Sequence, residues 1–427
     1  MELFDTYSKS LVELPLPRGP IRMYFCGPTV YGRAHVGNAR PFVLGMWMRR
    51  WLDVMGYDVN FVHNITDVND KIYEAAPGAS AELAKRATAW YLADVEDLGL
   101  GMPDEMPKAT QYIPSIIQTI ERLIESEHAY EADGDVYFRV AKAEEYGRLS
   151  GQDPEQVEEQ EPNEAKEDPR DFALWKKTKE GEDTSWDSPW GEGRPGWHIE
   201  CSVMAEETLG ETFEIHGGGI DLLFPHHENE LAQSRALGHE FAQIWAHNGL
   251  VRFTGEKMSK SEGEVVTLRD ALDKWGKEAL LLFFLSGHWR KPLDFSEETM
   301  QQAQARSETL RNAFRETPAK RNLAGWDDFA DALEEDFDTP RALAVLHDWA
   351  SKRQLDLMKE GLAIFGLSEL TNPDPAPPEI IELAEQRSEA RTRDDFETAD
   401  RIRDELEAAG WIMRDSARGY QLVRKRT

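Results

Sequence analysis

Near the start of the chain, the pattern of apolar and polar positions predicts a β-α-β unit. The apolar run IRMYFCG (21–27) predicts a buried strand, ARPFVLGMWMRRWLDVMG (39–56) follows the helical period, and YDVNFVHNIT (57–66) alternates as a strand does. This order is typical of a parallel sheet with helices on its faces. Because FEIHGGGIDLLF (213–224) repeats a strand followed by glycines, we interpret residues 101–195 as an insertion that divides one α/β domain.

The later segments of the chain are mainly helical in pattern. Residues 133–140 alternate as a short strand, and the apolar period from about 297 to 365 predicts several helices. The charged segment 379–410 predicts one helix, and 411–427 predicts a small hairpin.

These patterns predict an α/β fold class. We expect a Rossmann-like parallel-sheet domain with an insertion, followed by an α-helical bundle and a small C-terminal α+β module. The predicted boundaries are 1–100 and 196–245 for the Rossmann-like domain, 101–195 for the insertion, 246–300 for the segment after it, 301–369 for the bundle and 379–427 for the module.

The charge of the chain is strongly negative. With 49 Lys and Arg against 80 Asp and Glu, the formal net charge is −31, and 31 of the basic residues are Arg while 18 are Lys. Such acidity keeps a surface soluble, and an acidic, lysine-poor composition is also typical of salt-accumulating halophiles. It would ordinarily disfavour a nucleic-acid partner, but in molar salt the Debye length falls to about 3 Å and screens the repulsion.

Cysteine usage and hydropathy indicate the compartment. Cys26 and Cys201 are too few for a disulfide framework, and the sequence opens without an apolar targeting segment. The longest apolar run, 279–285, is far too short to span a bilayer. We expect a cytoplasmic protein without membrane contact, and nothing in the sequence requires more than a monomer.

His35-Val36-Gly37-Asn38 lies between the first predicted strand and its helix. His35 and Asn38 are three residues apart and share a helical face, and the helix N-terminus offers free N–H groups and a positive dipole. Gly37 allows a flat ligand to approach the backbone. The motif suits a nucleotide phosphate or adenine; the alternative is a histidine that only caps the helix.

Lys257-Met258-Ser259-Lys260-Ser261 is a second candidate motif. Its lysines and serines suit closure over a polyphosphate, where they would neutralise charge that develops in a transition state. The alternative is a surface loop without a ligand.

A third candidate is a metal site. PHHENE (225–230) places His226 and Glu230 at i and i+4, while His227, three residues before Glu230, is the alternative ligand. Together with Cys26 and Cys201 they form a donor set suited to Zn²⁺. The alternative is that both cysteines are small buried apolar residues. The predicted sheet favours the site, because both segments follow strands at its carboxyl edge.

HVGN and KMSKS, in this order, resemble the two signatures of class I aminoacyl-tRNA synthetases. Five segments resemble the cysteinyl-tRNA synthetases in particular: FCGPTVYGRAHVGNAR, NITDVNDK, RPGWHIECS, GGGIDLLFPHHENE and KMSKS. The similarity continues through SGHWRKPLDFS and DFDTPRALAVL into the C-terminal tail and so covers essentially the whole chain.

The resemblance implies a ligase that activates L-cysteine with ATP to cysteinyl-adenylate and transfers it to the 3′ end of tRNA-Cys. It implies one zinc ion that selects the cysteine thiolate, and Mg²⁺ that accompanies ATP. It implies roles for matched residues: zinc ligands Cys26, Cys201, His226 and Glu230; catalytic His35, Asn38, Lys257 and Lys260; substrate-binding Gly27, Thr66 and Trp197; and ATP-binding His35, Gly37, Asn38, Gly219, Asp221 and Lys260.

The resemblance also assigns roles to the predicted domains. It implies that 246–300 carries the KMSKS motif and contacts the tRNA stem, and that 379–427 binds the anticodon. Two features depart from the family. Asn38 replaces a common histidine and cannot carry charge, and Glu262 and Glu264 add carboxylates after KMSKS.

Two other functions remain open from the sequence. A paralogous ligase that joins cysteine to an amino sugar would share the zinc pocket and both signatures, but would not need the residues after 300. A non-catalytic, zinc-dependent tRNA-binding relative would not need the intact His35, Lys257 and Lys260.

Overall fold

A computed structural model describes residues 1–153, 163–254, 265–315, 318–319, 325–372, 376–416 and 419–424. The strands are β1 Glu2–Asp5, β2 Ser10–Glu13, β3 Ile21–Phe25, β4 Val59–His63, β5 Ala129–Ala132, β6 Asp135–Phe138, β7 Phe172–Lys177, β8 Gly193–Pro195, β9 Thr212–Gly219, β10 Phe241–Asn248, β11 Val251–Phe253, β12 Leu293–Phe295, β13 Trp411–Ser416 and β14 Gly419–Arg424.

The helices are α1 Val36–Val54, α2 Asp70–Ala75, α3 Ser80–Glu96, α4 Ile113–Glu125, α5 Trp197–Leu209, α6 Glu228–Ala236, α7 Leu268–Trp275, α8 Lys277–Leu285, α9 Glu297–Ala313, α10 Gly325–Glu334, α11 Thr339–Lys352, α12 Leu355–Ile364, α13 Pro378–Thr392 and α14 Phe396–Ala408. Every helix in the described ranges falls short of the length and apolarity needed to cross a membrane. The chain divides into two units, the first formed by Met1–Lys274, Trp289–Asp294 and Glu334–Phe337.

The first unit contains a four-stranded parallel sheet in the order β10-β9-β3-β4. Met23 of β3 pairs with Phe61 of β4 on one side and with Ile215 of β9 on the other, and all three side chains are fully buried. The β-α-β unit predicted from the sequence is confirmed, with α1 as the crossover helix. The strand order reverses between β3 and β9, which is where ligands bind in sheets of this kind.

A second sheet of the first unit is antiparallel, in the order β5-β6-β7-β8. The apolar face of α4, with Ile116, Ile120 and Leu123, shares a buried core with Phe138 and Trp175 of this sheet. The sheet lies within the range predicted as an insertion, although the sequence pattern indicated only the β6 strand. The boundaries of that insertion remain a prediction.

The second unit comprises Trp275–His288, Phe295–Leu333 and Asp338–Thr427. Its helices α8 to α12 pack around aromatic residues such as Phe329, Trp349 and Phe365. A separate small core joins α13, α14 and the β13–β14 hairpin, and it includes Ile402 and Trp411. The predicted helical bundle and C-terminal hairpin are therefore both present.

The single helix predicted for 379–410 is wrong, because the structure has two helices there. Asp394 adopts a left-handed conformation with φ of 58°, and Asp395 caps α14 by accepting a hydrogen bond from Thr398 N at 3.1 Å. Short acidic side chains tolerate such turns and are favoured caps. The break also lets two amphipathic helices bury their apolar faces against each other and the hairpin.

Candidate functional site

The carboxyl ends of the parallel strands open onto a cavity of about 260 Å³. Its wall contains most of the residues predicted for the site: Cys26, Gly27, His35, Gly37, Asn38, Trp197, Gly219 and Asp221. Lys257 and Lys260, with Glu262 and Glu264, lie outside the described residues. The geometry thus brings together the HVGN motif, the first cysteine and the glycine-rich end of β9.

The HVGN motif forms the N-cap and first turn of α1. The backbone N–H of His35 donates to Asn38 Oδ1 at 3.0 Å, so the asparagine closes the first turn of the helix. Within the described part of the chain, His35 Nδ1 has no hydrogen-bond partner. A Cβ at Gly37 would lie 2.9 Å from the His35 ring, so glycine leaves room for this imidazole.

Burial lowers the pKa of His35, although Asp221 partly opposes the shift. The ring is therefore neutral at pH 7, with one nitrogen available to a ligand. The Nδ2 hydrogens of Asn38 have no protein acceptor among the described residues, and they too are available as donors.

Gly27 lines the cavity, whereas Thr66 does not reach its wall. Gly27 N donates to Asn64 Oδ1 at 2.8 Å, and a Cβ on Gly27 would lie 1.6 Å from the Asn64 carbonyl oxygen. Thr66 is buried behind the wall, where its backbone pairs with Pro28 and Val30. Its part in substrate binding stays a prediction.

A buried cluster adjoins the cavity. One donor atom each of Cys26, Cys201, His226 and Glu230 lies within 4.8 Å of the others, and all four residues are buried. Glu230 Oε1 is 3.0 Å from His226 Nε2 and 3.7 Å from Cys26 Sγ. Two sulfurs, one imidazole nitrogen and one carboxylate oxygen are a donor set that fits zinc.

Three further histidines surround this cluster: His227, the alternative ligand predicted from the sequence, and His216 and His247, which were not predicted. His216 Nε2 lies 2.7 Å from Glu230 Oε2, and His227 Nδ1 lies 2.8 Å from His247 Nε2. One donor atom each of Cys26, His216, His227 and Glu230 also lies within 4.8 Å of the others, so these residues form an overlapping candidate metal set. His216 lies within the buried strand predicted at 213–224, and a histidine in an apolar strand needs a buried partner. The presence of a histidine in this apolar strand was therefore the sequence signal that could have indicated His216 as a site residue.

The electrostatics of the cluster favour a cation. Burial opposes ionisation of Glu230, but His216 and His226 outweigh it and hold its pKa well below the usual value. Burial also opposes ionisation of Cys201, yet Cys26 and His226 lower its pKa to about 6. Burial raises the pKa of Cys26. At pH 7 the cluster thus contains a carboxylate and a thiolate in a dry environment. The protonated His226 ring balances one of these charges, and a metal ion that replaced its proton would balance both.

The same electrostatics act on His226. Burial disfavours the imidazolium, but Glu230 and Cys201 raise the pKa of His226 to about 10. A metal ion would therefore have to displace a proton from His226 on binding.

Trp197 connects the cluster to the cavity. Its ring stacks on His226 with centroids 4.2 Å apart and an interplanar angle of 21°. Like Cys26, it also lines the cavity wall. Cys26 and Trp197 are therefore the residues through which the cavity adjoins the metal-ligand cluster.

The chain resembles known proteins over most of its length. Residues 13–305 match the family model described as tRNA synthetases class I (C) catalytic domain. The Cysteine--tRNA ligase of Caldicellulosiruptor saccharolyticus is 42% identical and aligns over 99% of this chain and 100% of its own. The Cysteine--tRNA ligase of Geobacillus thermodenitrificans is 43% identical over 96% of each chain.

Solved structures support the fold. Methionyl-tRNA synthetase of Mycobacterium tuberculosis, in complex with methionyl-adenylate, aligns with a TM-score of 0.60 over 83% of this chain and 89% of its own, at 15% identity. The family model covers most of the chain and the curated relatives align over nearly all of it. The chain therefore belongs to the cysteine–tRNA ligase family of class I aminoacyl-tRNA synthetases.

Proposed function

We propose that the buried cluster of Cys26, Cys201, His226 and Glu230 selects L-cysteine in the reaction of this family. That reaction joins L-cysteine to the 3′ end of tRNA-Cys, with ATP converted to AMP and pyrophosphate. The observation that carries the proposal is that Cys26 lies both in the cavity wall and in the metal-ligand cluster.

Zinc is the ion that the donor set suits. When bound to these four residues, it would supply a soft Lewis acid that binds the substrate thiol as thiolate and binds a serine hydroxyl far more weakly. A steric pocket alone separates such near-isosteres by only a few kcal/mol. Four protein ligands usually form a closed site, so the substrate requires a fifth position or a loosened Glu230.

The remaining cavity residues are proposed to position ATP. The α1 N-terminus, His35 and the Asn38 amide donate to phosphate oxygens, while Asp221 accepts from the ribose hydroxyls. Lys257 and Lys260 are assigned to the pyrophosphate side, and Mg²⁺ accompanies ATP. The family resemblance and the positions of these residues in the cavity wall support the proposed roles of His35, Asn38 and Asp221.

The chemistry has two steps. The cysteine carboxylate attacks the α-phosphorus of ATP and pyrophosphate leaves; a terminal ribose hydroxyl of the tRNA then attacks the acyl carbon and AMP leaves. No covalent bond to the protein is needed, so positioning and charge stabilisation account for catalysis. We place tRNA contacts in the predicted stem-contact segment 246–300 and anticodon module 379–427.

Paired histidine variants test the metal assignment. We expect His226→Asn to lose zinc, measured by mass spectrometry of the purified protein, and to lose cysteine-dependent ATP–pyrophosphate exchange. His227→Asn, the neighbouring residue of the overlapping candidate set, should keep its zinc. The reverse pattern would show that His216 and His227 hold the ion and that the proposed set is incorrect.

A further inference from the structure

Arg33 places a permanent positive charge in the cavity wall, two residues before His35. Among the lining residues in the described ranges, only Arg33 and Lys71 carry such a charge, and Asp221 opposes them. The triphosphate of ATP is strongly anionic and needs cationic partners. Arg33 is therefore a candidate ligand for it.

The Arg33 guanidinium is held in a defined plane. Its Nη1 lies 3.2 Å from Asp94 Oδ2 and 3.4 Å from Asp94 Oδ1, and its Cζ lies 5.0 Å from the centre of the Trp90 ring. Asp94 is only 1% exposed. A buried carboxylate and an aromatic ring thus orient a side chain that would otherwise be free to move on the surface.

Most of the hydrogen-bonding capacity of Arg33 remains unused. In the part of the chain that the structure describes, Nη1 is the only Arg33 nitrogen with a hydrogen-bond partner. A guanidinium has five N–H donors in a planar fork. The Nε and Nη2 edge is therefore available for bidentate contact with a phosphate group.

A purely structural role for the Arg33–Asp94 pair would be to attach neighbouring segments to α3. Arg269 already makes such an attachment, because its Nη1 lies 3.5 Å from Asp94 Oδ1 and 2.5 Å from Asp97 Oδ2. A backbone hydrogen bond in turn joins α7 to the segment that carries Arg33, since Leu268 N donates to Ala34 O at 2.8 Å. Because Arg269 also contacts Asp94, this buried carboxylate keeps a cationic partner without Arg33. The position of Arg33 in the cavity wall is therefore better explained by a ligand.

We propose that Arg33 binds the triphosphate of ATP and that Asp94 is the positioning residue that aims it. The proposal rests on the assignment of this cavity to ATP under Proposed function. It predicts that the pair controls ATP affinity without changing cysteine affinity.

Cysteine-dependent ATP–pyrophosphate exchange tests the proposal. Arg33→Gln should raise the KM for ATP about tenfold, as expected for a lost hydrogen bond to a charged group, and leave the KM for cysteine within about twofold. Arg33→Lys should give an intermediate value, because it keeps the charge and loses the fork. The matched control is Arg86→Gln: Arg86 also lies over the Trp90 ring, at 5.3 Å, but does not line the cavity, so both KM values should be unchanged.

A double-mutant cycle tests the role of Asp94. Asp94→Asn should raise the KM for ATP about threefold in the wild-type background and should add nothing to Arg33→Gln. A full additional loss in the double variant would overturn the positioning role. If Asp94→Asn does not fold, Asp94→Glu takes its place with the same expectation.

Asp221→Ala distinguishes a failure of the Arg33 proposal from a failure of the assignment of the cavity to ATP. If it raises the KM for ATP while Arg33→Gln does not, the cavity binds ATP and the Arg33 proposal is overturned. If neither variant changes that KM, the assignment of the cavity to ATP fails, and the Arg33 proposal fails with it.

Discussion

His216 Nε2 lies 2.7 Å from Glu230 Oε2, and both side chains are fully buried. This contact fixes one carboxylate oxygen, so the other, Oε1, faces His226 at 3.0 Å and Cys26 at 3.7 Å. A histidine that no sequence motif marks thus orients a metal ligand. Partners of this kind commonly raise metal affinity 10- to 100-fold.

We therefore predict that His216→Asn lowers zinc affinity by about 10- to 100-fold, because the Glu230 carboxylate loses the partner that orients it. Competition with a chromophoric chelator measures the affinity. His239→Asn is the control, because His239 contacts Glu206 and Glu211 and lies outside both metal sets. Equal zinc affinity in His216→Asn and wild type would contradict the orienting role.

Replacing a sulfur ligand should be more severe. Cys201→Ser should lose bound zinc and raise the KM for cysteine by at least about 100-fold, since a hydroxyl is a much harder and less acidic donor. Zinc content and pyrophosphate exchange report the two effects. Thr208→Ser, on the same helix, should change neither. Unchanged cysteine activation in Cys201→Ser would remove the zinc-pocket argument.

Much of this site could be predicted because parallel strands bring their carboxyl ends to one edge. The apolar period located β3 and β9, and the motifs that follow them therefore had to meet. His216 and Asp94 could not be assigned in the same way. Asp94 is 61 residues from Arg33, and His216 is 14 residues from Glu230 on a different element, so only the tertiary packing shows which partner each one contacts.

Two features of the fold were not predicted from the sequence: the break between α13 and α14, and the short strands of the second sheet. The break between α13 and α14 depends on the left-handed conformation of Asp394, which the helical charge pattern conceals. Strand β8 is only three residues long and has the sequence Gly-Arg-Pro, so it offers no distinctive alternating pattern. By contrast, α1 was predicted because its apolar period extends over nineteen residues.

Removal of residues 379–427 should separate the two steps of the reaction. Adenylate formation should persist, because the cavity and the metal-ligand cluster lie in the first unit. tRNA charging should fall strongly if this module binds the anticodon. Thermal unfolding serves as the folding control, because α9 packs near β14. Full charging by a folded truncated chain would show that the tail is not the anticodon module.

Acid should destabilise the protein through His63. Burial lowers the pKa of His63 to about 4, and the ring contacts Phe25 O and the Tyr91 hydroxyl. The unfolded chain, with a histidine pKa near 6.5, binds the proton more readily. The contribution of neutral His63 is therefore complete above about pH 6.5 and is lost as the pH falls towards 4.

Urea unfolding at several pH values between 4 and 7 measures this effect. His63→Asn should show a shallower fall of unfolding free energy with decreasing pH than wild type, even though it is less stable at pH 7. Parallel curves for the two proteins would assign the acid sensitivity to other buried histidines.

The most direct test of the central claim is X-ray absorption at the zinc edge of the zinc-loaded enzyme, with and without cysteine. We predict that the ion has the two sulfur ligands of Cys26 and Cys201 when the enzyme is alone. Saturating cysteine should add one further sulfur at bonding distance, and serine should add none. An unchanged sulfur count with saturating cysteine would contradict selection of the substrate through its thiolate.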